Sequence, residues 1–189
     1  MIYKLSDERI STVFRRFQSK GPIGRDDTSI IFYDLSYLDQ RIQDLMELFP
    51  PSTLHAIAIK ANPLQRTLER MKVLGTGLEA ATLPEIHIAQ NAGFPAAQIV
   101  FDSPAKTMEE LEYALALGVH VNADSISELE RIESLVRDHP PRGTIGVRIN
   151  PQVGTGTILS TSVAGDFSKF GVPLNDERDA LLDKFLRYN

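Results

Sequence analysis

Leu54-His55-Ala56-Ile57-Ala58-Ile59-Lys60 is an apolar run that ends on a lysine, and its neighbours decide how it folds. A helical pattern follows over about 63–74, then a second short apolar run, Gly77-Leu78-Glu79-Ala80, then another helical pattern over 83–92. The same rhythm extends in both directions. Ile30–Tyr33 is a strand candidate before the run, and Gln98–Phe101, Val119–Asn122 and Thr144–Asn150 come after it. Helical patterns fill about 36–48, 107–117, 126–138 and 175–187, and a leading helix is expected over 6–19 with Ser6 as its N-cap. Strand, helix, strand, repeated, requires parallel pairing with right-handed crossovers.

The helix boundaries support this alternation. Thr82-Leu83-Pro84-Glu85, Thr107-Met108-Glu109-Glu110 and Ser125-Ile126-Ser127-Glu128 each have the spacing of a capping box. Pro84 stands early in its helix, where a missing N–H costs nothing. Gly75, Gly93 and Gly118 follow the ends of helical patterns, as C-terminal caps do. A doubly wound sheet and a TIM barrel both fit this rhythm. No strand-following loop carries Gly-x-Gly-x-x-Gly or a P-loop, so the nucleotide-binding versions lose weight. Gly154-Thr155-Gly156 lacks a strand–turn–helix setting and reads as a loop.

Composition sets further bounds. The chain has 189 residues, 42% hydrophobic and 24% charged, which is ordinary for a globular protein. A net charge of −5 without a basic stripe argues against a nucleic-acid partner. There are no cysteines, so neither disulfides nor a thiolate metal site can form. Met1 to Glu8 lacks the apolar run of a signal peptide, and no stretch has the roughly 18 apolar residues of a membrane span. The expectation is a cytoplasmic protein with no membrane partner.

In a barrel, side chains alternate between the lumen and the helix layer. With Lys60 inward, Ala58, Ala56 and Leu54 point inward too, and Ile59, Ile57 and His55 face the helices. The same parity puts Glu79 with Gly77, and Arg148 with Gly146 and Thr144. It turns Asn122 and Asp124 inward and Val119 and Val121 outward. Several strands thus present polar groups at their C-terminal ends, the end where barrel enzymes place their active sites. Ordinary readings stand beside these. On chain position alone Lys60 is either a solvated surface lysine or a functional group. Glu79 and Arg148 are either site residues or one structural ion pair. Asp124 could serve only as punctuation before the Ser125 helix. His55 reads as packed on the outer face, and His87, His120 and His139 have no metal-binding spacing. Phe14, Phe17, Phe32 and Phe101 read as core.

Six segments in order resemble the fold-type III pyridoxal-phosphate decarboxylases, the diaminopimelate and ornithine decarboxylase family. They are Ile31-Phe32-Tyr33-Asp34-Leu35, Ala58-Ile59-Lys60-Ala61-Asn62-Pro63, Gly77 to Glu85, Asn122-Ala123-Asp124-Ser125, Val147-Arg148-Ile149-Asn150-Pro151 and Ser168-Lys169-Phe170-Gly171-Val172. The first resembles the family's opening barrel strand and the second its cofactor-lysine motif. Alanine racemases share the barrel and the lysine, but they continue after it with an Ala-Tyr-Gly-rich segment where this chain has Ala61-Asn62-Pro63-Leu64.

The resemblance implies an α/β chain forming an incomplete TIM-type barrel of the alanine racemase/decarboxylase type, about six strands of eight. Residues 1–28 are then a helix and lead-in, and 29–189 a partial barrel that binds pyridoxal 5'-phosphate, an N-terminal portion without the family's C-terminal β domain. It implies an enzyme, a lyase decarboxylating a small amino-acid substrate; a racemase or a non-catalytic relative that binds the cofactor is the alternative. Lys60 is the implied catalytic residue, forming an imine with the cofactor's aldehyde, and Lys60, Glu79 and Arg148 are the implied cofactor-binding residues. Glu79 stands where the family has an aspartate. Lys169 matches a position on a dimer-related surface and is therefore left out of the catalytic set; a homodimer or other self-association is expected. In the family a histidine, a glycine-rich phosphate loop and an acid for the pyridine nitrogen follow the Ser-Lys-Phe-Gly segment. This chain ends at Asn189, so by itself it is expected not to decarboxylate an amino acid. Thr144–Asn150 is expected to leave an unpaired edge, Gln152–Asp166 to be mobile, and Glu79 and Arg148 to lie together in the lumen.

Overall fold

The computed structural model describes residues 6–21, 24, 26–153, 165 and 168–187, the Asp176 side chain excepted. The loop expected at Gly154-Thr155-Gly156 and most of Gln152–Asp166 lie outside the described residues. The chain divides into two compact units, one ending at Asp34 and the other starting at Leu35. The expected boundary after residue 28 falls earlier, because Ile30–Tyr33 was read as part of the sheet.

The first unit holds α1 (Asp7–Ser19) and an irregular segment over 27–34. Ser6 caps α1 by accepting the Arg9 N–H at 3.3 Å, and Asp7 and Glu8 occupy the first turn, where the helix dipole favours acids. Arg9 pairs with Asp34 at 2.7 Å, and Phe17 packs edge-on to Phe32 with ring centres 5.3 Å apart. Ile30–Tyr33 is not a strand. A strand exists only where a ladder satisfies its backbone, and none forms here among the described residues; Ile31 is 76% exposed. Phe14 and Phe32 are likewise exposed rather than core.

The second unit is a parallel sheet of five strands in sequential order: β1 (Ala56–Ala58), β2 (Gly77–Ala80), β3 (Ile99–Asp102), β4 (His120–Ala123) and β5 (Ile145–Val147). Its helices are α2 (Leu35–Glu47), α3 (Gln65–Val73), α4 (Leu83–Asn91), α5 (Met108–Leu117), α6 (Ile126–Val136) and α7 (Leu174–Arg187). Each pair of neighbouring strands is joined through one crossover helix, the arrangement of a barrel arc. The expected run Thr144–Asn150 is split at Arg148, with β6 (Ile149–Asn150) pairing in parallel with β7 (Val172–Pro173). The Arg148 N–H donates to the Ala123 carbonyl on one side, and its carbonyl accepts the Val172 N–H on the other, both at 2.8 Å. The unpaired edge expected at Thr144–Asn150 is therefore partly covered by β7.

Burial alternates along the strands. Leu78, Ala80, Ile99, Phe101, Val121 and Ala123 are wholly buried with the helices, while Glu79, Val100, Asp102, His120 and Asn122 are half-exposed on the other face. The helix starts differ from one another in one detail. Thr107 and Glu110 form a full capping box. At α4 and α6 the glutamate instead reaches one residue further back, Glu85 to the Ala81 N–H at 2.6 Å and Glu128 to the Asp124 N–H at 2.8 Å. Each of these glutamates ties down the chain just after a strand. Asp39 and Arg70 link α2 to α3, Arg70 Nε donating to Asp39 Oδ1 at 2.8 Å. This guanidinium holds the Asp39 carboxyl below the usual carboxylate range.

Candidate functional site

Lys60 does not end a strand. β1 stops at Ala58, and Ile59–Ala61 forms one 3₁₀ turn closed by the Asn62 N–H onto the Ile59 carbonyl at 3.0 Å. Asn62 is extended, as the residue before Pro63 must be, and its side chain accepts the Leu64 N–H at 3.2 Å. Ile59 is fully buried, so the turn anchors on the helix side and leaves Lys60 exposed. Lys60 follows the buried Ile59 and is exposed, but a turn carries it, not the pleat of a strand on which the inward parity was argued. Among the described residues Lys60 makes no hydrogen bond or ion pair, yet it lies near enough to Glu79 for its charge to act there.

Glu79 stands on β2, half-buried on the open face. Burial raises its pKa above the ordinary value; the Lys60 charge opposes this, Asp102 and Glu85 add to it, and Arg148 opposes it weakly. Those influences tie the ends of successive strands into one cluster. Arg148 is its other cation, but its ion pairs are not the expected one. Its Nη1 lies 3.6 Å from Asp124 and 3.9 Å from Asp102, and no ion pair joins it to Glu79. Alternation places a side chain on a face; it does not say which of several acids on that face comes closest.

Three parts of the cluster were missed. Asp102 lies one residue past the strand expected at Gln98–Phe101, on the inward parity of Val100. One of its oxygens, Oδ1, is buried without a hydrogen bond, as is Oδ1 of Asp124. Burial raises the Asp124 pKa, opposed by the Gly171 backbone amide and by the Arg148 and Lys106 charges. Phe170 and Gly171 are the second omission. The Arg148 guanidinium sits 4.5 Å from the Phe170 ring centre, a cation–π contact. Gly171 has φ +77°, and a Cβ there would lie 2.9 Å from the Asn150 nitrogen. Phe170 and Gly171 thus pack against Arg148, one on its guanidinium and the other beside its backbone carbonyl. The third is His120, whose ring nitrogens hydrogen-bond Asn122 Oδ1 (Nε2, 2.8 Å) and the Thr144 hydroxyl (Nδ1, 2.6 Å). Gly146 makes room for this pair, since a Cβ there would meet Asn122 Oδ1 at 2.4 Å. Inward polar parity at 120 was the available signal.

This donor set suits pyridoxal phosphate. A primary amine without a bonded partner suits an aldehyde, a carboxyl of raised pKa stands beside it, and an arginine supplies a fixed positive charge. Among the described residues no group of acids and histidines could hold a metal ion, and no helix is long and apolar enough to cross a membrane.

Comparison with known proteins agrees. Residues 35–187 match the family described as pyridoxal-dependent decarboxylase, pyridoxal binding domain. Diaminopimelate decarboxylase of Zymomonas mobilis is 32% identical over 158 residues, 81% of this chain and 38% of that protein. L-glutamyl-[BtrI acyl-carrier protein] decarboxylase of Niallia circulans is 30% identical, over 84% of this chain and 37% of its own length. In structure, diaminopimelate decarboxylase from Helicobacter pylori, complexed with L-lysine, superposes with a TM-score of 0.77 at 29% identity, over 90% of this chain and 41% of that one. The chain therefore spans about two fifths of the length of these relatives. It belongs to the pyridoxal-dependent decarboxylase family, within the pyridoxal binding domain.

Proposed function

We propose that this member of the pyridoxal-dependent decarboxylases is the lysine-bearing barrel portion of an enzyme that decarboxylates an amino acid. The observation that carries the reading is the Lys60 amine, held on its turn without a bonded partner among the described residues and acting on Glu79 across the strand ends. Lys60 Nζ would hold pyridoxal phosphate covalently. Once bound, that group supplies the electron sink for the electron pair left behind by carbon dioxide. The chain's own residues do the rest. Glu79, with its raised pKa, holds a proton beside Lys60 more readily than an exposed acid would. Arg148, fixed by Asp102 and Asp124, presents a positive charge for an anionic group.

The relatives' names span substrates from diaminopimelate to a carrier-bound glutamyl group, so the substrate class is an amino acid with a free α-carboxylate. A homodimer in the cytoplasm belongs to the same proposal; the exposed Leu182, Phe185 and Leu186 on α7 supply apolar surface for association. The test adds pyridoxal phosphate to the purified chain, reduces with borohydride and maps the labelled peptide. Label on Lys60 is expected, and label on another lysine with Lys60 clean overturns the assignment. Light scattering on the same sample reads the association.

A further inference from the structure

A second set of charges stands next to this cluster, and the proposed function makes no use of it. Lys106 is a buried lysine with its side chain 0% exposed, paired at 2.8 Å with Glu128, itself 2% exposed. Lys106 Nζ also donates to the Ser103 carbonyl at 2.6 Å. The Glu128 oxygen that accepts the Lys106 hydrogen bond also accepts the Asp124 N–H at 2.8 Å. Arg131 holds the outer side, donating to the Lys106 carbonyl at 2.8 Å and lying 3.5 Å from the other Glu128 oxygen.

Stability alone is a poor reason for such a pair. Removing two charges from water costs several kcal/mol, and well-packed apolar residues of similar volume often serve as well. What the pair bonds to is more telling. One end grips the carbonyl of Ser103, the residue after Asp102, and the other grips the amide of Asp124. Those are the two acids that bracket Arg148. We propose that Lys106 and Glu128 are positioning residues, a buried clamp that fixes the ends of β3 and β4 so that Asp102 and Asp124 hold the Arg148 guanidinium against Phe170. Its functional meaning rests on the proposed site, whereas the clamp itself can be read without cofactor.

The experiment uses the whole 189-residue chain. A Lys106→Met/Glu128→Met double variant removes both charges and keeps the volume. Lys106→Met/Glu128→Gln is the milder variant, keeping an oxygen for the Asp124 amide and leaving no unpaired buried charge. Two quantities are measured: the thermal midpoint, and water exchange at the Arg148 Nε–H by nitrogen NMR, assigned with Arg148→Lys. The Lys106→Met/Glu128→Met variant is expected to fold with a lowered midpoint, since the Ser103 carbonyl and the Asp124 amide lose their partners, while Arg148 Nε–H exchange in the folded protein accelerates about tenfold or more, as local order is lost. Lys106→Met/Glu128→Gln is expected to accelerate it less. A folded Lys106→Met/Glu128→Met variant with unchanged exchange overturns the proposal. So does a Lys106→Met/Glu128→Met variant that fails to fold while Lys106→Met/Glu128→Gln leaves exchange unchanged, because the pair then serves the fold alone. Absence of cofactor label on Lys60 in the parent chain overturns the proposed function and leaves the clamp measurement standing.

Discussion

The two faces of the five-stranded sheet are made by the same alternation and have opposite characters. Toward the helices stand Leu78, Ala80, Ile99, Phe101, Val121 and Ala123, all without exposed surface. Toward the lumen stand Glu79, Asp102, His120 and Asn122, half-exposed, with two carboxylate oxygens buried beside Arg148 and lacking hydrogen bonds. The first face supplies burial and so stability. The second spends some of that stability to hold charges close together, which is the usual condition of a functional site. The difference teaches that stability and chemistry are carried on alternate residues of the same strands, so single substitutions should separate them.

The largest effect is expected on the helix face. Phe101→Ala removes a wholly buried ring that also lies 5.5 Å from the Lys106 ammonium. It should cost about 3–5 kcal/mol in denaturant unfolding. A loss below about 1 kcal/mol would mean that the face is loosely packed and the comparison is wrong.

Next comes Gly171→Ala, in the turn before β7 beside the Arg148 carbonyl. The left-handed backbone alone should cost about 1–2 kcal/mol. The new Cβ would also press on the Asn150 nitrogen and the Arg148 carbonyl, both backbone atoms that cannot swing away. Chemical denaturation measures the loss, and an Asn replacement, better tolerated in that conformation, should recover part of it.

A smaller effect is expected from Glu79→Gln, and it depends on pH. Burial raises the folded pKa of Glu79 above its unfolded value, so the folded state binds the proton more tightly. The stability this confers is complete at pH values below the unfolded pKa near 4.5 and is lost as pH rises through the higher folded value. Glu79→Gln removes that dependence, so parent and variant should diverge between acid and neutral pH, with the variant relatively more stable at neutrality. Asp124 shifts in the same direction and will leave a residual slope in the variant. Unfolding free energies of both proteins across that range read the difference, and parallel curves would refute the assignment.

Much of the sheet was legible. The capping residues Thr82, Thr107 and Ser125 mark where three strands hand over to helices, and each helix begins there. Inward parity placed Glu79, Asn122, Asp124 and Arg148 on one side. Ile30–Tyr33 was misread because apolar, β-prone composition describes a strand only when a ladder is present to complete it. Val172–Pro173 was missed because a two-residue strand containing proline has neither length nor a full set of donors to signal it. The Arg148 partners were misassigned because parity carries no distance. Lys106 left no trace at all, since a lysine in the loop Ser103-Pro104-Ala105-Lys106 reads as solvated. Only the fold brings Glu128 to it across 22 residues.

The smallest stability effect is expected at the residue on which the proposed function depends most. Lys60 is exposed, rests on a turn held by backbone bonds and the buried Ile59, and has no bonded partner among the described residues. Nothing that Lys60→Met removes contributes to packing, so the unfolding free energy should move by no more than about 0.5 kcal/mol. The lost charge is still felt at one place. Lys60 is the strongest of the groups that hold the Glu79 pKa down against burial, so Glu79 should titrate higher in the variant than in the parent. Carboxyl carbon NMR would read that change directly, and borohydride labelling with pyridoxal phosphate should disappear from the same protein. A Lys60→Met variant that is markedly destabilised would make Lys60 a structural residue and remove the contrast between the faces. One that keeps its stability, shifts Glu79 and loses the label would place the chemistry on the face that contributes least to the fold.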